Sequence, residues 1–162
     1  MSASRARPSG ILDVASGPGY YFAAWRGAYI LDFRDTPTRE SLDATIIGKR
    51  KIESLFPEGL YVFNIIDGQR PAPDSDVRNY AAKKQTEDNQ GVLAHITVVR
   101  GDGFRPSTIR SLLTGLYLMS RAPFPRKVFA HLHDGTSWLG NLVGDDAFAG
   151  ELLRVLHEVR SR

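Results

Sequence analysis

The stretch from Gly91 to His133 constrains the fold more than any other, because it reads as strand, turn, helix, turn, strand. Val92, Ala94, Ile96 and Val98 alternate with Leu93, His95, Thr97 and Val99. Both faces of this segment are therefore largely apolar, the pattern of a strand covered on both sides. Arg100-Gly-Asp-Gly103 breaks the strand. Pro106 suits a first helical turn, where a missing N–H is tolerated. Ile109, Leu112, Leu113, Leu116, Tyr117 and Met119 give a wide apolar helical face. Ala122-Pro-Phe-Pro125 stops that helix, since a residue before proline avoids the α region. Lys127 to His133 then predicts a second short strand. A βαβ unit of this kind implies a right-handed crossover between parallel strands.

The rest of the chain is consistent with helices on a mixed sheet. Ile11 to Val14, Tyr20 to Ala24 and Gly27 to Phe33 predict three N-terminal strands, with a hairpin break at Arg26-Gly27. In the third, Ala28, Ile30 and Asp32 oppose the more apolar Tyr29, Leu31 and Phe33, as in an antiparallel pair near a sheet edge. Asp35-Thr36-Pro37 predicts the start of a helix, with Thr36 as cap and Pro37 in the first turn. Leu60 to Ile66 reads as a central strand with Asp67 at its carboxyl end. After a proline-containing loop, Asp74-Ser75-Asp76 opens a polar helix running to about Glu87. A last helical region begins after Asp134-Gly-Thr-Ser137. A final amphipathic helix follows Asp145-Asp146, with Phe148, Leu152, Val155, Leu156 and Val159 on its apolar face. The expected class is α/β: a mixed, mostly parallel sheet of five to six strands with helices packed on it, an N-terminal β-hairpin and a C-terminal amphipathic helix.

At 162 residues the chain is most simply one domain, residues 10–162, after a basic N-terminal tail from Met1 to Ser9. That tail lacks the apolar run of a signal peptide. No stretch approaches the roughly 18 apolar residues of a membrane span. There is no cysteine, so disulfides and thiolate chemistry are excluded. A cytoplasmic location is the expectation. The net charge of +3 is spread thinly over Lys49, Arg50, Lys51, Lys83, Lys84 and the chain ends, so a solvated basic surface is expected rather than a nucleic-acid partner.

Three local segments resemble the STAS / SpoIIAA-like family, the bacterial anti-sigma-factor antagonists and related regulatory domains. The first is Leu60-Tyr-Val-Phe-Asn-Ile-Ile-Asp67, a loop, and Asp74-Ser75-Asp76 at a helix start. The others are Gly103-Phe-Arg-Pro-Ser-Thr-Ile-Arg-Ser111 and Pro125-Arg-Lys-Val-Phe-Ala130. The likeness in element order covers about residues 10 to 143. It implies a non-enzymatic domain that works by binding another protein, a regulatory partner or kinase-like anti-factor, with no cofactor. In the family a loop behind the central strand delivers a serine that the partner phosphorylates, and here Ser75 holds that place. The loop is longer in this chain, carries Pro71 and Pro73, and lacks the family's second serine and glycine. The implied contact surface comprises Asp67, Asp74, Ser75, Asp76, Arg78, Asp102 and Phe104.

The residues allow other readings. A serine or aspartate at a helix start is also simply a cap worth about 1 kcal/mol. His131 and His133 would share one face of a strand and, with Asp134 and His95, supply N and O ligands for a metal. Asp67, Asp74, Asp76 and Asp102 would gather at strand ends, where open α/β sheets bind ligands and carboxylates act as acid and base. Arg100-Gly-Asp-Gly103 has neither nucleotide-binding fingerprint and reads as a turn. The aromatic set Tyr20, Tyr21, Phe22, Trp25 and Tyr29 either fills the core or forms an exposed strip for self-association or a partner. A small-ligand or lipid-binding module, with its ligand under these strands and Phe22, Trp25 and Phe33 lining a pocket, is the alternative to the regulatory reading. A homodimer through the terminal helix is a further expectation.

Overall fold

The computed structural model describes residues 9–162, apart from the side chain of Thr86. The expected tail, except for its last residue Ser9, lies outside the described residues. Six strands form one sheet in chain order: β1 (Leu12–Gly17), β2 (Tyr20–Trp25), β3 (Ala28–Phe33), β4 (Leu60–Asp67), β5 (Val92–Arg100) and β6 (Arg126–Phe129). β1, β2 and β3 are an antiparallel meander, and β3 to β6 are parallel. Arg26 and Gly27 make the β2–β3 turn with φ of 47° and 85°. Two positive φ values match the right-handed strand twist, and glycine takes the second at no steric cost.

The helices are α1 (Arg39–Ile52), α2 (Ser75–Glu87), α3 (Phe104–Met119), α4 (Leu132–Val143) and α5 (Asp146–Ser161). Successive right-handed crossovers in one direction put α1, α2 and α3 on one face of the sheet. The side-chain alternation then splits the core in two. Phe22, Tyr29, Leu31, Phe33 and Val62 pack towards α1 with Ile52 and Phe56. Ala23, Trp25, Ile30, Phe63, Ile65, Ile96 and Val98 pack against Leu139, Leu152, Leu156 and Val159 of α4 and α5. Gly135 lets α4 settle on the sheet, because a Cβ there would sit 3.0 Å from Phe63 and 3.1 Å from Ile96.

Several expectations are corrected. β3 is an interior strand with all six residues buried, Asp32 included. α5 covers the face that carries Asp32. Helix α1 starts later than Thr36 suggests. Thr38 is its cap, accepting from Ser41 N at 3.2 Å, while Thr38 N donates back to Ser41 Oγ at 2.8 Å. Thr36 instead donates to the Pro71 carbonyl at 2.7 Å. β6 stops at Phe129, so His131 precedes α4 and His133 lies in its first turn. The two histidines do not share a strand face. The aromatic hairpin is core: Tyr20, Phe22, Trp25 and Tyr29 are buried and Tyr21 is half-buried. Phe22 and Phe33 face α1 whereas Trp25 faces α5, so the three do not line a common pocket.

Gly48 in the middle of α1 yields a sharp prediction. A Cβ at this position would overlap the Tyr29 hydroxyl and lie 2.8 Å from Val14 Cγ1. Tyr29 is buried and its hydroxyl donates to the Thr45 carbonyl at 2.8 Å, so the ring has nowhere to retreat. Alanine gains about 1 kcal/mol in helix propensity, but overpacking costs about 1–3 kcal/mol. Gly48→Ala is expected to destabilise, read as a lower urea midpoint, although the same change at an exposed helical glycine would stabilise.

Candidate functional site

The carboxyl ends of β4 and β5 lie side by side, with Asp67 paired to Arg100. The loop after β4 and the turn after β5 are tied together there. Gly68 N donates to the Arg100 carbonyl at 2.8 Å, Gln69 Nε2 donates to the Asp102 carbonyl at 2.8 Å, and Arg105 donates to the Gln69 carbonyl at 3.1 Å. The Asp67 carboxylate turns back on its own loop, accepting from Gln69 N at 3.0 Å and facing Arg70 Nε at 3.6 Å. Asp102 is exposed in the turn. Phe104, the first residue of α3, is 88% exposed.

Asp74 is the cap of α2, accepting from Val77 N at 3.0 Å. Ser75 is the first helical residue and is exposed, as are Asp76 and Arg78. The cap hydrogen bond is thus supplied by the aspartate and leaves the serine hydroxyl at the surface, close to the positive end of the helix dipole. Loop and turn are fastened to each other, and Asp74, Ser75 and Asp76 open the helix that follows the loop. No histidine or further charged side chain is drawn onto Ser75 by a hydrogen bond among the described residues. No three His, Asp or Glu side chains among the described residues stand close enough together to hold a metal ion.

Two polar constellations were not singled out from the sequence. The first lies at the carboxyl end of β3. Asp32 is fully buried, and its Oδ1 accepts from Arg160 at 2.6 Å and its Oδ2 from Arg34 Nε at 2.9 Å. Arg34 also donates to the Val159 and Arg162 carbonyls at 2.9 and 3.1 Å, so it meets the negative end of α5. Burial pulls the Arg160 guanidinium below its ordinary pKa, and Asp32 opposes that shift. The only sequence signal was the acidic residue interrupting the apolar alternation of β3.

The second constellation is a row on the face of β4 and β5 towards α3. Tyr117 Oη lies 3.0 Å from Thr97 Oγ1, which lies 3.4 Å from His95 Nδ1. The Arg126 guanidinium sits 4.5 Å above the Tyr117 ring. Burial, followed by the Arg126 charge, lowers the His95 pKa to about 4. Burial raises that of Tyr117. Both side chains are therefore neutral at neutral pH. Beside them, Asn64 Oδ1 is buried with no hydrogen-bond partner among the described residues. A buried acceptor of this kind is usually satisfied by ordered water. His95 and Thr97 alternate on a strand, which is visible in the sequence. Their meeting with Tyr117 depends on how α3 is rotated over the sheet.

Comparison with known proteins returns no matching family model, no matching curated protein and no matching solved structure. Among the described residues no helix is long and apolar enough to cross a membrane.

Proposed function

We propose that this chain is a non-catalytic protein-interaction domain of a regulatory pathway, of the kind its resemblance to the bacterial anti-sigma-factor antagonists implies. Its partner contacts the carboxyl edge at Asp67, Asp74, Ser75, Asp76, Arg78, Asp102 and Phe104. The supporting observation is the fastened edge itself. Backbone and side-chain hydrogen bonds hold the β4 loop and the β5 turn together, and Phe104 projects beside them with 88% of its surface exposed. A rigid rim with one large exposed aromatic is what an interface anchor requires. Ser75 stands at a helix start without serving as its cap, so its modification would leave the cap in place. A phosphate between Asp74 and Asp76 would add repulsion at the rim and favour release of an acidic-edged partner.

The test is a pull-down from the native host with wild type, Phe104→Ala and Ser75→Asp, together with intact mass spectrometry of the native protein. Ser75→Asp adds an acid to the first turn of α2, where the dipole favours it by about 0.3–1 kcal/mol, so the fold is retained. The expected result is one partner held by wild type, weakened at least about tenfold by Phe104→Ala and lost with Ser75→Asp. A partner held equally by all three proteins would move the interface elsewhere. A bound small molecule with no protein partner would replace this reading with the ligand-binding one.

A further inference from the structure

Helix α3 is dressed unlike the other helices. The sequence predicts a wide apolar face turned to the sheet, but only Pro106 is buried, and Ile109, Leu113 and Tyr117 are half-buried. Leu112, Leu116, Leu118, Met119 and Phe104 remain exposed, with Phe104, Leu118 and Met119 between 84% and 88%. These five belong to the eight large hydrophobic side chains exposed among the described residues. Between them lie the small residues Thr108, Ser111 and Gly115 and, in the first turn, Arg105. The outer half of the helix is thus a convex apolar ridge, not a groove.

Charge decides what can cover it. From Gly103 to His133 there is no aspartate or glutamate, whereas Arg105, Arg110, Arg121, Arg126 and Lys127 all fall within that run. Arg110 and Arg126 are spent on backbone carbonyls beneath and behind the helix. Arg121 is exposed just past its C-terminal end and Arg105 is exposed in its first turn, where one nitrogen also reaches the Gln69 carbonyl, whereas Lys127 lies on the opposite face of the sheet over the Phe129 ring. A second copy of the chain laid ridge to ridge would bring cation borders together with no carboxylate on α3 to receive them. A convex ridge of flexible Leu, Met and Phe side chains also offers no pocket for a protein anchor. An apolar face with basic borders is the pattern of a helix that lies in a lipid–water interface, its hydrocarbon in the acyl boundary and its cations among headgroups.

We propose that the outer face of α3 docks on an anionic lipid surface. The helix lies parallel to the membrane, with Phe104 near one end and Leu118 and Met119 near the other. This site is separate from the rim around Ser75, and only Phe104 borders both.

The test is co-sedimentation of the full chain with vesicles of phosphatidylcholine alone and of phosphatidylcholine with phosphatidylserine, at low and high salt. The variants are Leu118→Glu, Met119→Glu and Arg121→Glu, at exposed positions where the fold does not depend on the side chain, checked by circular dichroism. Wild type is expected to sediment with the anionic vesicles and to be released by salt. Leu118→Glu and Met119→Glu are each expected to weaken binding about tenfold or more, and Arg121→Glu by about fivefold or more. Absence of binding to both vesicle types overturns the proposal, as does equal binding to neutral vesicles or binding that survives both apolar-to-acid changes. Analytical ultracentrifugation supplies a further decisive outcome: a wild-type dimer that Leu118→Glu converts to monomer would assign the ridge to a second copy instead.

Discussion

Asp32→Ala is expected to lower the unfolding free energy by about 3–5 kcal/mol, the range for removing one partner of a buried ion pair. The carboxylate is fully buried and holds Arg160 at 2.6 Å and Arg34 at 2.9 Å. Its loss takes the nearest counter-charge from both guanidiniums: Arg34 keeps the Val159 and Arg162 carbonyls, whereas Arg160, already disfavoured by burial, retains the weaker attraction of Asp67. Both arginine side chains keep about a third of their surface in water, 35% and 27%. That solvation draws the effect towards the lower end of the range. The reverse deletion should be milder. Arg160→Met leaves Asp32 paired with Arg34, and a methionine stem replaces much of the lost packing. Urea unfolding of the two variants checks the order. Equal losses would mean that Arg34 does not hold Asp32 by itself.

Much of the architecture was legible because it follows from local rules that packing does not override. The apolar runs of β4 and β5 predict central parallel strands, and the Asp74-Ser75-Asp76 start of α2 falls where capping chemistry puts it. The Arg26-Gly27 break marks a true hairpin. What escaped depends on neighbours. Asp32 reads as an edge-strand residue until α5 returns over it with Arg160. Thr38 rather than Thr36 caps α1, because Ser41 completes a reciprocal box only with Thr38. Lys127 to His133 reads as one apolar strand, but β6 lacks a partner beyond Phe129, and the chain turns into α4.

For the candidate site the same division holds. Asp67, Asp74, Ser75, Asp76 and Asp102 could be placed at strand ends and a helix start from sequence alone. That the loop and turn are fastened by Gln69 and Arg105 could not, because those contacts span more than thirty positions in the chain. The rotation of α3 was equally hidden. A helix with apolar residues at 109, 112, 113, 116, 117 and 119 can bury only part of so wide a face against two strands. Sequence periodicity does not say which part stays outside.

That rotation sets up the second large effect, which is a pH dependence. His95 is held neutral between the sheet and Tyr117, with its pKa lowered to about 4 from the ordinary 6.5 by burial first and the Arg126 charge second. The unfolded chain therefore binds a proton at His95 between about pH 6.5 and 4 that the folded chain refuses. Stability rises with pH wherever the unfolded state binds more protons. The contribution is fully present above about pH 6.5 and is lost as pH falls through that window towards 4. At 1.36 kcal/mol per unit, the loss amounts to roughly 3 kcal/mol. Among the described residues, the groups facing the ring carry no carboxylate: Thr97 and Tyr117 are neutral, and Arg126 is a cation. Protonated His95 thus finds no counter-charge in its own surroundings. Chemical denaturation of wild type and His95→Gln at pH 7 and pH 4.5 isolates the His95 contribution, because the other titrating groups are common to both proteins. Wild type should lose more stability than His95→Gln over this interval. Equal losses would show that the α3 side of the sheet opens to water below pH 6 and solvates the imidazolium. Tyr117 would then leave Thr97, and the row beside Asn64 would be a hydrated cleft instead of a packed seam.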